Sequence, residues 1–417
     1  MALTRRAWFG TAAAGLGQLR RVRPNVLIFL SDQETALLPG PVRTPNRDRL
    51  GGVRFTHAFC GTPQCSPARA AVITGLDPHK AGVLTNVDKS SLGQPLRASI
   101  PNIGSVFQAA GYHTGYFGKW HLSDSRDLAA YGFADSEMDG ADEEIARRAA
   151  AWMRGRTGPW LAFVSILNPH NIYDIPRRVK PEDVEPREGV RKPYSGLENL
   201  AGKPAEQREY AVQDQGKATR EFTPADWLKY RSYYLELVER ADRCLGIAMQ
   251  GISRVSSTVI LYSSDHGDAT GEHGLAYKGP FLYEELVRIP LEIAGPGTEK
   301  LKPRGGELVT QTDIAPTLAG LAGLRWPAAV SGRDLTAGGP ARDAVLLEYY
   351  AKQRWKNPIR AVRTRRYKLN WYNSGHRELY DLEKDPHETR NLEGDAAMGE
   401  VQEELERRIS AWRGPVF

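Results

Sequence analysis

Three cysteines in 417 residues cannot staple a chain of this size, so a disulfide-built scaffold is excluded. Nowhere does an uninterrupted apolar run approach the roughly 18 residues that a membrane-spanning helix needs. Neither sign of charge prevails, with 56 Lys and Arg against 50 Asp and Glu and a net of +6. Arg5, Arg6, Arg20, Arg21 and Arg23 lie in an amino-terminal stretch without an acid, and beyond residue 23 the balance is 51 to 50, a net of +1. A body so close to neutral carries no electrostatic footprint for nucleic acid. What is present is ordinary for a folded chain: 41% hydrophobic and 25% charged residues, with a mean hydropathy of -0.47. Wholesale disorder and a polytopic membrane protein are both ruled out.

The amino terminus reads as an address. Thr4-Arg5-Arg6-Ala7-Trp8-Phe9 precedes a small-residue apolar run from Gly10 to Gly17, a pattern similar to twin-arginine export signals. Ala12-Ala13-Ala14, the small residues suited to cleavage, lie inside that run and not after it. Residues 1–23 are therefore expected to form an export signal and basic junction, placing the protein in the periplasm or outside the cell.

From residue 24 to about 340 the texture predicts a large α/β domain. Val26–Leu30, Thr114–Phe117, Trp160–Leu167, Thr258–Ser264 and Ile289–Ile293 are continuous apolar runs of strand length, suited to a parallel sheet buried on both faces. Helical patterns alternate with them at Pro67–Thr74, Asn102–Ala110, Asp142–Met153, Ala225–Ile247 and Thr312–Leu321. Asp32, Lys119, His170 and Asp265 each fall at or just past a predicted strand end, where such sheets gather their ligands. Asn171–Phe222 is polar and aperiodic, and a loop of that length is expected to be functional or disordered. Residues 341–417 read as a small antiparallel sheet, with strands near Val345–Tyr350, Ile359–Arg363, Tyr367–Tyr372 and Glu378–Leu382, closed by a helix over Ala396–Trp412.

The most informative segment is Cys65-Ser66-Pro67-Ala68-Arg69, continuing to Thr74-Gly75. Ser66 can cap a helix and Pro67 suits a first helical position, which puts a thiol beside the positive end of a helix. Cys-x-Pro-x-Arg resembles the signature of formylglycine-dependent sulfatases. The same family's pattern is matched by Gly111-Tyr112-His113-Thr114-Gly115-Tyr116-Phe117-Gly118-Lys119-Trp120-His121, by Asn168-Pro169-His170, and by Asp265-His266-Gly267 leading to Lys278. Tyr367-Lys368-Leu369, Glu378-Leu379-Tyr380-Asp381-Leu382 and Asp385-Pro386 are similar to its terminal subdomain. The resemblance runs from about Pro24 to Leu392. It implies an alkaline-phosphatase-like three-layer α/β/α sandwich with a large, mostly parallel sheet, plus the small carboxy-terminal sheet packed with one helix.

The resemblance also implies a chemistry, hydrolysis of a sulfate monoester such as a sulfated carbohydrate. A sulfate monoester carries a negative tetrahedral group, and its cleavage develops charge on the leaving oxygen, so a nucleophile, a cationic cradle and a proton donor are called for. Cys65 would be oxidised by a maturation enzyme to formylglycine, whose hydrated aldehyde attacks sulfur and later releases sulfate by elimination. Asp32, Gln33, Asp265 and His266, with the oxygen at position 65, would hold a divalent metal, Ca²⁺ first and Mn²⁺ or Mg²⁺ as alternatives. Arg69 would anchor the metal region, and Lys119 and Lys278 would hold sulfate oxygens. His121 is the candidate base, with His170 or Lys278 as the acid. Many family members have Asp-Asp where this chain has Asp32-Gln33, and Asp-Asn where it has Asp265-His266. The Gln/His pairing also occurs in related phosphonate monoester hydrolases.

Two alternatives therefore stand beside the sulfatase reading: a phosphonate or phosphate ester hydrolase of the same fold, and a non-catalytic binder of sulfated glycans with Cys65 unmodified. Other features read as structural. Arg360, Arg363, Arg365, Arg366 and Lys368 alternate with apolar residues and are expected on the solvent side of a strand. His79, His113 and His273 are expected to serve packing or outer-layer roles, and Cys60 and Cys244 are candidates for pairing in an oxidising compartment. Trp355, Trp371, His376 and Arg377 are expected to border the leaving-group pocket.

Overall fold

The computed structural model describes residues 23–88, 93–301, 306–352 and 355–412. The export reading falls on residues 1–22 and so lies outside the described residues. The strands, in chain order, are β1 (Asn25–Asp32), β2 (Val53–Arg54), β3 (Ala58–Phe59), β4 (His113–Gly118), β5 (Asp135–Glu137), β6 (Trp160–Pro169), β7 (Thr258–Ser264), β8 (Leu291–Ala294) and β9 (Val309–Thr310). Seven of them form one sheet in the order β2-β8-β7-β1-β6-β4-β5, and β3 pairs with β9 separately. The apolar run of β1 lies between β6 and β7, parallel to both, with Val26 opposite Leu161 on one side and Val259 on the other.

Alternate residues of β1 enter two different cores. Val26, Ile28 and Leu30 face one cluster with Val72 and Ile73 of the helix Cys65–Thr74, Phe107 of Ile103–Ala109 and Leu318 of Ile314–Leu321. Leu27 and Phe29 face the other, with Ile145 and Met153 of Asp142–Arg154 and Leu245 of Pro224–Met249. Helices thus cover both faces, the three-layer arrangement expected of strands apolar throughout. One expected strand differs in direction: Ile289–Ile293 materialises as β8, which runs antiparallel to β7. Hydrophobic length carries no information about strand direction.

The helix Ile103–Ala109 shows how local chemistry sets an element's start. Asn102 is fully buried and its side chain accepts from Gly104 N at 3.0 Å and Ser105 N at 3.3 Å, while Asn102 N donates to Ser105 Oγ. Asn102→Ala removes that cap and is expected to cost about 1–2 kcal/mol. Urea unfolding reads this as a lower midpoint at unchanged slope, and an unmoved midpoint contradicts it.

The carboxy-terminal sheet is antiparallel in the order β10 (Ala344–Lys352), β11 (Trp355–Thr364), β12 (Tyr367–Tyr372) and β13 (Arg377–Asp381). Leu405 and Ile409 of the last helix, Gly399–Ala411, cover Val362, Leu369 and Leu379 on one face. The other face presents Tyr349, Ile359 and Tyr380 to the main core. The solvent-side assignment of the basic run is corrected here, because Arg363 and Lys368 are buried against the catalytic domain. Arg363 Nη2 lies 2.9 Å from Glu284 Oε2, and Lys368 Nζ lies 3.3 Å from Glu284 and 2.5 Å from Glu388. Burial alone would raise the Glu284 carboxyl, but Lys368 and Arg363 outweigh it and hold it down to about 2.

The polar segment 171–222 is built from short 3₁₀ turns around one helix, Ala205–Gln213. Gln207 donates to Glu378 Oε1 at 2.9 Å, and the Tyr210 hydroxyl donates to Ala276 O and Lys278 O at 3.0 and 2.9 Å. The segment is thereby fixed between the terminal sheet and the loop that follows β7. Cys60 and Cys244 are free and sit in separate clusters, so they form no pair.

Candidate active site

Asp32, Lys119, His170 and Asp265 stand at the same edge of the sheet, at the ends of β1, β4, β6 and β7. Gly118 has φ +94° and leaves no room for a side chain, since a Cβ there would meet Ser165 O at 1.9 Å. That close approach of β4 to β6 is what delivers Lys119 into the site. Cys65 opens its helix with Gln64 as the N-cap. Ser66 is therefore not the cap. Its Oγ instead ties two loops to the helix start, donating to His121 O at 2.5 Å and accepting from Val87 N at 2.9 Å.

Arg69 is the centre of the arrangement. It is 2% exposed, and its Nη2 and Nε meet Asp32 Oδ2 at 3.0 Å and Asp265 Oδ2 at 3.1 Å. Its Nη1 donates to Lys119 O at 2.8 Å and Ser165 Oγ at 2.7 Å. A planar, permanently charged fork is the side chain that can make these contacts together. Lys119 Nζ reaches Asp32 Oδ2 at 2.5 Å and Cys65 Sγ at 3.5 Å. Lys278 Nζ donates to Cys65 Sγ at 3.0 Å, Gln33 Oε1 at 2.8 Å and His266 Nε2 at 2.9 Å.

The fields at the site follow from this crowding. Burial and Asp32 both push the Cys65 thiol up, but Lys119 and Lys278 outweigh them and bring it well below its ordinary value. Burial likewise opposes ionisation of Asp32, and Lys119, Arg69 and Lys278 overcome it. Asp265 moves the other way, raised by burial and by the neighbouring Asp32. Burial and Lys119 press His170 down to about 3, so the imidazole is neutral here.

The donor set fits a divalent cation. Single ligand atoms of Asp32, Cys65, Asp265 and His266 all lie within 4.8 Å of one another. His266 Nδ1 faces Gly267 O at 2.9 Å and must carry the proton, because a carbonyl only accepts. Its Nε2 therefore carries the lone pair, which accepts from Lys278 at 2.9 Å with Cys65 Sγ 3.4 Å away. Gln33 has an unusual φ of +74° and donates from Nε2 to Asp268 Oδ2 at 2.7 Å, which turns Oε1 toward Lys278. Two carboxylates, an amide oxygen and an imidazole suit a hard or borderline ion.

Of the remaining expectations, His121 has φ +56° and a buried Nδ1 without a hydrogen-bond partner. His170 rests on the Tyr173 ring, centroids 4.9 Å apart. His79 pairs with Glu348 at 3.0 Å and His273 stacks on Tyr283, both in packing roles, whereas His113 is exposed at the start of β4. Trp371 and Arg377 do not border the site: Arg377 lies over the Trp371 ring and pairs with Glu406 of the last helix at 2.7 Å. His376 faces Glu206 at 3.5 Å, and the side chain of Trp355 is outside the described residues.

Sequence reasoning missed several neighbours of the site. Asp268 holds Gln33, accepts from the Tyr230 hydroxyl at 3.0 Å, and is raised to about 6 by burial. Lys352, from β10, donates to Lys278 O at 2.7 Å, lies 3.9 Å from Asp214, and is lowered by burial to about 7. Tyr173 stacks on Tyr277 with Arg177 over its ring, and Lys278 Nζ stands 5.8 Å from the same ring centre. Lys352 and Tyr173 belong to no quoted motif, and Asp268 falls in the run between Gly267 and Lys278; the signal available was a lone polar or aromatic residue.

The family model for sulfatases matches residues 24–324, which contain every site residue that the sequence motifs single out. The chain belongs to the sulfatase family. It is a sulfuric ester hydrolase of type I with the alkaline-phosphatase-like fold. A second model, the carboxy-terminal region of N-sulphoglucosamine sulphohydrolase, matches residues 271–414. Among curated relatives, this sulfatase is 27% identical to the Delta 4,5-hexuronate-2-O-sulfatase of Bacteroides thetaiotaomicron, over 94% of this chain and 89% of that one. Among solved structures it overlays a 2-O GAG sulfatase with TM-score 0.78 at 24% identity, covering 93% of this chain and 91% of the other. The phosphonate monoester hydrolase of Agrobacterium radiobacter overlays with TM-score 0.75 at 23% identity, covering 93% and 95%. Among the described residues, no helix is long and apolar enough to cross a membrane.

Proposed function

We propose that this sulfatase cleaves sulfate monoesters of acidic sugars, with formylglycine made from Cys65 and a divalent cation held by Asp32, Gln33, Asp265 and His266. The observation that carries the reading is the surround of Cys65 Sγ: Lys278 at 3.0 Å, His266 at 3.4 Å, Lys119 at 3.5 Å and Asp32 at 3.8 Å. When present, the modified side chain and its cation supply a hydroxyl nucleophile and Lewis-acid stabilisation of the sulfate. The chain's own residues do the rest. Lys119 and Lys278 draw in the sulfate oxygens, and Arg69 fixes both carboxylates so that the cradle is rigid before substrate arrives. His121 takes the proton from position 65. Lys278, already in contact with that position, gives one to the departing alcohol.

Calcium is the first cation to test. Manganese is next, because His266 brings an imidazole. Arg177 puts positive charge beside Tyr173, where a uronate would find it, in keeping with the hexuronate named for the curated relative. The Arg5-Arg6 segment would direct the protein out of the cytoplasm. The Gln33 and His266 pair, and the likeness to a phosphonate monoester hydrolase, favour phosphonate ester cleavage as a second reading.

The test is a rate comparison on protein co-expressed with a formylglycine-generating enzyme, its Cys65 peptide checked by mass spectrometry. Sulfated uronate disaccharides, aryl sulfate, a phosphate diester and a phosphonate monoester are run in parallel. A sulfated sugar is expected to give the highest kcat/KM. Sulfate esters as the poorest class would transfer the assignment to phosphonate esters, and an unmodified, inactive thiol would return it to glycan binding.

A further inference from the structure

A cavity of about 500 Å³ opens beside the loop that follows β7, away from Cys65, and Glu272, Glu285 and His387 meet on its wall. Their donor atoms all lie within 4.8 Å of one another. Glu272 belongs to the loop that carries Asp265, His266 and Lys278. Glu285 lies in the short helix Glu284–Val287, which packs so closely on that loop that a Cβ on Gly267 would meet Glu285 O at 2.0 Å. His387 comes from the terminal subdomain, just past β13.

The three side chains differ in how they are satisfied. Glu272 accepts from Tyr194 N at 2.8 Å and is paired with Arg231. Glu285 is only 4% exposed, and its Oε2 is buried without a hydrogen-bond partner. His387 stacks on Tyr194, and its Nδ1, also without a hydrogen-bond partner, stands 3.9 Å from Glu285 Oε1. Three of the five arginines on the same wall donate elsewhere: Arg288 to Thr56 O at 2.8 Å, Arg363 to Glu284 at 2.9 Å and Arg191 to Leu38 O at 2.9 Å. Glu285 Oε2 is thus a buried carboxylate oxygen left without a hydrogen bond, a costly arrangement unless something occupies it.

We propose that Glu272, Glu285 and His387 form a second divalent-cation site, of zinc type, that clips the terminal subdomain to the loop bearing the active-site groups. Imidazole and carboxylate are both zinc ligands, and three of them leave a fourth tetrahedral place for water. Bonds of about 2.1 Å put tetrahedral donors about 3.4 Å apart, so the triad draws in by about an ångström on binding. His387, with 29% of its side chain exposed, is the member with room to move.

The full-length protein is stripped with chelator and equilibrated with Zn²⁺, and bound metal is counted for wild type, Glu285→Gln and His387→Gln. The cradle at Cys65 is common to all three, so the difference between them reports the second site alone. Each variant is expected to hold one zinc fewer per chain. Loss of even an outer partner weakens a metal site about 10- to 100-fold, so zinc affinity here falls by at least about tenfold. Zinc should also raise the Tm of the wild type by more than that of either variant. Equal zinc content in wild type and His387→Gln overturns the proposal. Should Glu285→Gln fail to fold, the partly exposed His387 still decides it.

Discussion

Cys65→Ala lowers kcat/KM by at least about 10⁴-fold while leaving the fold intact. Removing a nucleophile that works as a unit with its surroundings abolishes nearly all of the chemical step, and binding groups alone retain little. The loss is expected in kcat and not in KM, because Lys119, Lys278 and the carboxylate pair remain to hold sulfate. Steady-state kinetics on the best sulfate ester, with inorganic sulfate as a competitive probe of the empty cradle, separates the two. Activity surviving within about 100-fold of wild type would show that position 65 is not the nucleophile. Thermal unfolding should be nearly unchanged, since truncating a thiol leaves a small cavity.

The second large effect is on stability. Arg69→Ala leaves Asp32 and Asp265, both fully buried, without the guanidinium that joins them. Breaking a buried ion pair from one side costs about 3–5 kcal/mol, a large part of the roughly 5–15 kcal/mol that holds a typical domain. Arg69→Lys is expected to recover only part of this, because one ammonium cannot span both carboxylates, Lys119 O and Ser165 Oγ. Urea unfolding of the three proteins measures it. An Arg69→Ala midpoint equal to wild type would mean that Lys119 alone compensates the acids.

The parts of the site that are legible in advance are those where residue type and position coincide. Asp32 and Asp265 end long buried runs, and such runs are recognisable because both faces of a central strand must be apolar. Cys65, Arg69, Lys119 and Lys278 lie in spaced motifs whose chemistry is specific. The misreadings have a common physical source: alternation tells which residues share a face, not what covers it. Alternation puts Arg363 and Lys368 in water, yet Glu284 and Glu388 of facing segments close over them. Trp371 and Arg377 serve the last helix, and Lys352 on β10 reaches the site instead. The direction of β8 and the true cap of the Cys65 helix likewise depend on neighbours far away in the chain or on a hydroxyl's better offer.

The burial of Cys65 imposes an order of events in time. The thiol is 1% exposed, and it is enclosed by strand ends that meet only when distant segments pair, Val26 with Val259 for instance. Long-range parallel pairing is among the slower steps a chain takes. Until it happens, Cys65–Arg69 is an open stretch that another enzyme can grip; afterwards it is sealed. Any enzymatic change to that thiol therefore competes with folding itself. A chain that folds slowly through β1 and β7 gains opportunity, and one that folds too fast locks in an unaltered cysteine for its lifetime.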